Sequence, residues 1–293
     1  MTTLKGVTVG VIGLGFLGKP MSRNLKKAGA EVVIHNRSRA VVDELAAEGL
    51  KPATSGGEVA RRADAVILLV TDTPAVELVL LGEGGVLEGL RPGGLVIDMG
   101  TTAVMKTRDF AKDVEAAGGV YVDAPVSGGQ VGAVAGNLTI MAGGTEAAFT
   151  RARPFFEVLG ERITHVGDIG AGQIAKAANQ VIVGLTIGAV AEAFTLARAA
   201  GVDPALVREA LQGGFASSRI LELHGERMAK RDFEGGGHST TQLKDMVQAL
   251  DLAEALGIEL PATALNRDLY QRMVDRGLGE LDHSGLIRVY EPD

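Results

Sequence analysis

The sequence predicts an α/β protein in two parts: a doubly wound, mostly parallel sheet over residues 1–168, then an all-α domain over residues 169–293. Three observations predict it. Short β-branched runs alternate with helical segments through the first half, a glycine-rich turn follows the first run, and beyond about residue 168 helical periodicity continues with no further strand. Alternation at this spacing means βαβ units, and strands apolar on both faces need helices on both faces.

The strands are expected at GVTVGVIG (6–13), AEVVIHN (30–36), ADAVILLV (63–70), GLVIDMG (94–100) and GVYVDAPV (119–126). Two more, NLTIMAG (137–143) and RITHVGD (162–168), flank a helix near 145–158 and close the domain. The next helix, roughly 170–200, is about 45 Å long at ~1.5 Å per residue and is long enough to serve both domains. Glycine and proline then punctuate the helical half at GVDP (201–204), GGF (213–215), EGGGH (234–238) and GIELP (257–261).

Composition narrows the function classes. Hydrophobic residues make up 46% of 293 residues, enough for a core, while aromatics are only 4%, so packing rests on aliphatic and small side chains. With no cysteine, disulfides, thiolate zinc sites and a cysteine nucleophile are excluded. The five histidines are scattered without an i,i+4 pair, so no metal site is expected. A formal charge of −7 and no basic stripe argue against nucleic-acid and membrane partners. The longest apolar run, Val181 to Ala191, falls short of the ~20 residues of a membrane span, and the N-terminus lacks a signal pattern. A cytoplasmic location is the resulting expectation.

Gly13, Gly15 and Gly18 stand in G-x-G-x-x-G spacing directly after the first strand and open an amphipathic helix, the context of a Rossmann-type dinucleotide site. Gly13 permits the tight turn, Gly15 lets backbone approach a pyrophosphate, and Gly18 lets the helix pack on the strand. Leu14, Phe16 and Leu17 complete that turn. At the end of the second strand, a site for NAD usually carries an acid that binds the ribose hydroxyls and repels a 2′-phosphate. This chain has Asn36, then Arg37, Ser38 and Arg39, a neutral amide with guanidinium and hydroxyl donors that suits a phosphate. NADP(H) is therefore favoured, with NAD(H) possible. On the same sheet edge, VTDTP (70–74) and MGTT (99–102) bring Val70, Thr71 and Thr101 toward the ribose and nicotinamide, while Thr73 and Thr102 are expected to cap the following helices.

DAPVSGGQVGA (123–133) ends another strand, and Ser127 with the successive backbone N–H groups of Gly128 and Gly129 can cup a carboxylate. Lys176 is the only charged residue between Ala171 and Ala191. Gln173, Lys176, Asn179 and Gln180 recur at helical spacing as one polar stripe, whereas Gly184 and Gly188 mark close approach of another helix. A partly desolvated amine beside a nicotinamide has a lowered pKa and can remove a hydroxyl proton or return one to an alkoxide, so Lys176 is assigned as the general acid/base. Farther on, Lys244 and Asp245 either form a solvated surface pair or close over the cofactor; spacing alone does not choose.

Together GVIGLGFLGKPMSRNL, DAPVSGG, the G-x-G-Q-x-x-K-x-x-N-Q run around Lys176, LKD at 243–245 and DHSGLI at 282–287 resemble the β-hydroxyacid dehydrogenase family over essentially the whole chain. The resemblance implies that Ser127, Gly128 and Gly129 hold a substrate carboxylate, that Lys176 is the acid/base, that Asn179 and the next position orient the substrate, and that Thr101 and Lys244 contact the cofactor. Many members carry a second Asn where this chain has Gln180, and ANQVIV is closer to the tartronate semialdehyde reductases of the family. The implied activity is hydride transfer between NADP(H) and a small 3-hydroxy acid or its semialdehyde. Tartronate semialdehyde comes first; a 3-hydroxyisobutyrate-type reaction, or broad reduction of glyoxylate and succinic semialdehyde, is the alternative, and a silent NADP-binding assembly protein is the non-enzymatic one. Apolar faces such as 181–197 and the resemblance together imply a homodimer or homotetramer.

Overall fold

The computed structural model describes residues 2–291 and divides into two compact units, Met1–Lys176 and Ala177–Asp293. In the first, β1 (Thr8–Ile12), α1 (Gly18–Lys27), β2 (Glu31–His35), α2 (Arg39–Ala47), β3 (Lys51–Pro52), α3 (Gly56–Arg62) and β4 (Ala65–Leu68) follow one another. Next come α4 (Thr73–Leu81), a 3-10 turn, β5 (Leu95–Asp98), α5 (Val104–Ala116), β6 (Val120–Asp123), β7 (Val126–Ser127) and α6 (Gly129–Ala135). Then β8 (Leu138–Gly143), α7 (Glu146–Leu159) and β9 (Gly160–Gly167) complete the sheet, and α8 (Ala171–Ala199) starts in this unit and continues into the second.

The strands run in the order β3-β2-β1-β4-β5-β6-β8-β7, with β9 beside β8. From β3 to β6 every pairing is parallel, and β8 runs antiparallel to β6 and β7. Alternating side chains feed two cores. Val9, Val11, Val32, Ile34, Ile67 and Ile97 pack on the side of α1, α2 and α7, while Val33, Val66, Leu68 and Val96 pack on the side of α3, α4 and α5. The doubly wound sheet thus has the expected layers. Two short strands were not legible: β3 is an exposed two-residue edge containing Pro52, which edge strands tolerate, and β7 pairs only through Val126 and Ser127.

Register sets the functional edge of the sheet. His35, Ile12, Leu68, Asp98 and Asp123 form one row across neighbouring strands, so the turns that follow all leave from the same edge. The strand order reverses at β1, and open α/β sheets bind ligands beyond the carboxyl ends at such a point.

The second unit is helical: the remainder of α8, α9 (Pro204–Leu211), α10 (Arg219–Lys230), α11 (Ser239–Ala255), α12 (Pro261–Asp275) and a closing 3-10 helix, His283–Tyr290. Pro204 and Pro261 each open a helix, as the sequence breaks require. Ile187, Phe194, Leu221, Met228, Tyr270, Met273 and Leu286 form its core. A methyl group on Gly184 would lie 2.7 Å from the Gln242 amide and 2.9 Å from Met246 Sδ, so α8 does meet its neighbours closely at this glycine. Among the described residues, α8 is the one helix long and apolar enough to cross a membrane by length and composition; the whole helix passes that measure although its run 181–191 is short of it. Gly184 and Gly188 on α8 pack closely on side chains of α11 and α12, and its Gln173, Lys176 and Gln180 are buried.

Candidate active site

Each glycine of the first turn has a distinct environment. A Cβ on Gly13, at φ +96, would strike the Leu69 carbonyl at 2.3 Å, and one on Gly18 would strike the Gly13 carbonyl at 1.8 Å. By contrast, a Cβ on Gly15 meets nothing within 4 Å. Two glycines are therefore required by packing and the third leaves open space above the start of α1, which is the division a dinucleotide pyrophosphate needs. The residues fit such a cofactor. Asn36 supports the turn directly, accepting from the Leu14 N–H at 3.0 Å and donating to the Ser38 carbonyl at 3.2 Å. Leu14 is buried, Leu17 half-buried and Phe16 exposed. Arg37, Ser38 and Arg39 are exposed, and Arg39 pairs with Asp43 at 3.2 Å.

Val70 is half-buried, Thr71 exposed and Thr101 half-buried, each in a turn on the functional edge. The capping assignments differ from expectation. Asp72 caps α4 by accepting from the Ala75 N–H, while Thr73 reaches across to accept from the Ala103 N–H at the start of α5. Thr102 caps nothing, because its hydroxyl donates to Asp98 Oδ2 at 2.6 Å. A buried carboxylate outcompeted the helix end for that hydroxyl.

The turn after β7 holds Ser127 half-buried, with Gly128 at φ +131 and Gly129 at φ +60. Those angles demand glycine and present the backbone without a side chain in the way. Lys176 is 8% exposed and donates from Nζ to the Val126 carbonyl at 2.9 Å. The structure thus brings Lys176 Nζ to the carbonyl of the residue before Ser127.

Gln173 is the exception in the polar stripe. It is 2% exposed, donates from Nε2 to the Gly100 carbonyl at 2.9 Å, and accepts at Oε1 from the Thr102 N–H at 3.0 Å. Its amide is consumed by the β5–α5 turn and does not face a cleft.

Two acids were missed by sequence reasoning. Asp98 accepts from the Gly100 N–H, the Thr102 hydroxyl and the Tyr121 hydroxyl; burial pushes its pKa up to about 6, against the downward pull of those bonds, and neighbouring Asp123 adds to the rise. Asp123 accepts from the Gly170 and Gln173 N–H groups at 2.8 and 2.9 Å, with its pKa also raised by burial. The only available signal was an acid as the last residue of two consecutive buried strands, where a lone carboxylate needs donors.

Within the second unit, Gln180 is 7% exposed and donates from Nε2 to Asp245 Oδ2 at 2.5 Å and to Gln242 Oε1 at 3.2 Å. Asn179 donates to Gln180 Oε1 at 2.8 Å. Lys244 Nζ lies 2.9 Å from Asp245 Oδ1, with Asp245 buried and Lys244 half-buried.

Comparison with known proteins agrees with these motifs. Residues 8–167 match the family described as the NAD binding domain of 6-phosphogluconate dehydrogenase, and residues 170–290 that described as NAD-binding of NADP-dependent 3-hydroxyisobutyrate dehydrogenase. The chain is 46% identical to 2-hydroxy-3-oxopropionate reductase of Escherichia coli (strain K12) over 97% of both chains. It is 36% identical to 2-(hydroxymethyl)glutarate dehydrogenase of Eubacterium barkeri over 98% of this chain and 96% of that one. The solved 3-hydroxyisobutyrate dehydrogenase of Mycobacterium tuberculosis with L-serine superposes with a TM-score of 0.89 at 31% identity, covering 98% of this chain and 99% of the other.

Proposed function

The chain belongs to the β-hydroxyacid dehydrogenase family of NAD(P)-dependent oxidoreductases acting on CH–OH groups, and from that premise we propose that it reduces tartronate semialdehyde (2-hydroxy-3-oxopropionate) with NADPH. The substrate follows from whole-length similarity to the Escherichia coli reductase and from the Asn179–Gln180 pair. The observation that carries the chemistry is the buried amine: Lys176 Nζ sits 2.9 Å from the Val126 carbonyl, at the mouth of the Ser127–Gly129 turn.

The turn from Gly13 to Gly18, with Asn36, Val70, Thr71, Thr101 and Lys244, would hold the dinucleotide, and Arg37 and Ser38 its 2′-phosphate. When bound, the nicotinamide supplies the hydride. Ser127 and the N–H groups of Gly128 and Gly129 bind the substrate carboxylate, while Asn179 and Gln180 orient its hydroxyl and carbonyl. As the carbonyl carbon gains hydride, its oxygen becomes an alkoxide, and the Lys176 ammonium gives it a proton; in the oxidative direction the neutral amine takes that proton back.

The same reading includes association of copies of the chain. Ile182, Ala189 and Leu196 make an exposed apolar stripe at seven-residue spacing on α8, with Ile182 66% and Leu196 73% exposed. Such a stripe is a natural seam for a second copy, giving a homodimer or homotetramer.

The test is turnover of NADPH and NADH with tartronate, methylmalonate and succinic semialdehydes and glyoxylate, on wild type and Lys176→Ala. Strong use of one substrate with NADPH, and loss of ~10²-fold or more in the variant, are expected. A variant that keeps most of its rate removes Lys176 from the mechanism.

A further inference from the structure

Lys176 stands one helical turn after Gln173, and Gln173 lies in a buried network that none of the assigned roles uses. The first turn of α8 has N–H groups with no intrahelical acceptor. Asp123 supplies acceptors for Gly170 at 2.8 Å and Gln173 at 2.9 Å. Its surroundings leave no slack: a Cβ on Gly143 would come within 2.6 Å of Asp123 Oδ1, and one on Gly172 within 2.8 Å of Asp123 Oδ2 and 2.3 Å of the Met141 carbonyl. The start of α8 is therefore seated on the end of β6, and Lys176 adds a second attachment three residues along the same strand path, at Val126.

The Gln173 side chain then ties this seat to the neighbouring turn. It bonds the Gly100 carbonyl and the Thr102 N–H, the two residues that bracket Thr101. Thr102 and Gly100 are themselves held by Asp98, whose partner in register on the next strand is Asp123. Asp98, Thr102, Gln173 and Asp123 are each 3% exposed or less. The result is a closed path, Asp98 to Thr102 to Gln173 to Asp123, closed by strand pairing, in which every link is a hydrogen bond of 2.6 to 3.0 Å or a ladder pair.

We propose that this Asp98–Thr102–Gln173–Asp123 network is the positioning device that sets Lys176 against the turn bearing Thr101, with Gln173 as its key positioning residue. The proposal rests on the reading of Lys176 as proton donor. A network of buried groups that all bond one another resists displacement as a unit, because moving any member leaves a buried donor or acceptor without its partner. Proton transfer is sensitive to that rigidity, since a misplacement of ~1 Å costs up to ~10²-fold in rate.

The experiment uses Gln173→Met, Thr102→Val and Thr102→Ser, each alone and combined with Lys176→Ala. Steady-state kcat and KM for the semialdehyde are measured together with NADPH affinity by fluorescence and a thermal melt. Gln173→Met, which keeps length and removes both amide bonds, is expected to lower kcat by ~10-fold or more, within the ~10²-fold range of misplacement. KM and NADPH affinity should change far less. Thr102→Val should lower kcat in the same sense, and Thr102→Ser, which keeps the hydroxyl for Asp98, should restore it. In the Lys176→Ala background the same substitutions should alter the residual rate by no more than about twofold, the scatter of independent effects.

Equal fold-losses with and without Lys176 would overturn the proposal, since the network would then be general scaffold. So would unchanged kcat in Gln173→Met. Should Gln173→Met give no cooperative melt, the Val and Ser variants at Thr102 decide the question by themselves. Failure of the acid/base reading is visible separately, as retained activity in the Lys176→Ala single variant, and the positioning role falls with it.

Discussion

Two fully buried aspartates, Asp98 in the first unit and Asp282 in the second, are treated in opposite ways. Asp98 is surrounded by neutral donors alone, two hydroxyls and an amide N–H, and burial lifts its pKa to about 6. Asp282 is equally buried, yet Arg227 lies 2.7 Å from Oδ2, His224 3.2 Å from Oδ1, and the Ser284 N–H and hydroxyl donate at 3.0 and 2.5 Å. Burial alone would raise it too, but bonds from His224 and Ser284 outweigh that and hold it well below the usual carboxylate range. Charge compensation is present where an acid fastens the segment 282–284 to the loop carrying Gly237, and absent where an acid holds the turn between β5 and α5. By this contrast the ionised form of Asp282 is held by its partners, whereas the ionised form of Asp98 is disfavoured by burial.

The largest expected effect breaks the fastener. Asp282→Ala leaves Arg227 and His224 facing each other without their anion and frees the Ser284 and Gly237 donors, so a loss of about 3–5 kcal/mol is expected. Urea unfolding measures it, and hydrogen exchange should show the amides of 233–239 and 281–285 losing protection first. A loss under about 1 kcal/mol would mean that the compensated acid is no more structural than a surface pair.

Next in size is the pH dependence, where the two acids pull oppositely. A carboxyl whose folded pKa lies above its unfolded value holds its proton more tightly in the fold, so stability falls as pH rises from the unfolded value near ~4 through about 6. For Asp98 this amounts to up to about 3 kcal/mol. Asp282 behaves in reverse: its contribution is present above ~4 and is lost as pH falls below that. Hydrogen exchange resolved by unit, run between pH 4 and 8, should show the first unit tightening on mild acidification while the second does not. Asp98→Asn should flatten the first trend. A first unit whose protection rises with pH across this window would refute the assignment to Asp98.

What the sequence made legible follows the same division. The parallel strands and α8 were readable because apolar runs and helical periodicity are properties of many residues at once. The glycine turn and Lys176 were readable because each is an exception within such a pattern: a triplet of glycines after a strand, one charge in an apolar helix. Asp98, Asp123 and the structural use of Gln173 were not, since an acid at a strand end looks the same whether it faces water or a ring of donors. Thr73 and Thr102 were assigned to the nearest helix ends, but their partners lie 30 residues away and on a buried carboxylate. Long-range polar pairing leaves no period in the chain.

The smallest expected effect tests whether the two units differ in the backbone as they do in the acids. On α8, a methyl at Gly172 would meet main-chain oxygens, the Met141 carbonyl at 2.3 Å and the Asp123 carbonyl at 2.8 Å, which cannot yield without moving two strands. At Gly188 it would meet only Asn266 Nδ2 at 2.8 Å, the far end of a side chain on α12. Replacing Gly by Ala inside a helix gains roughly 0.5–1 kcal/mol in the absence of contact. That gain is of the order of the cost of turning one amide aside, so Gly188→Ala should stay within about 0.5 kcal/mol of wild type. Gly172→Ala adds overpacking against a fixed wall and should lose about 1–3 kcal/mol. Thermal melts of the two variants give the comparison directly. If Gly172→Ala is as mild as Gly188→Ala, the seat of α8 on β6 is more yielding than its contacts suggest, and the rigid placement of Lys176 loses its footing with it.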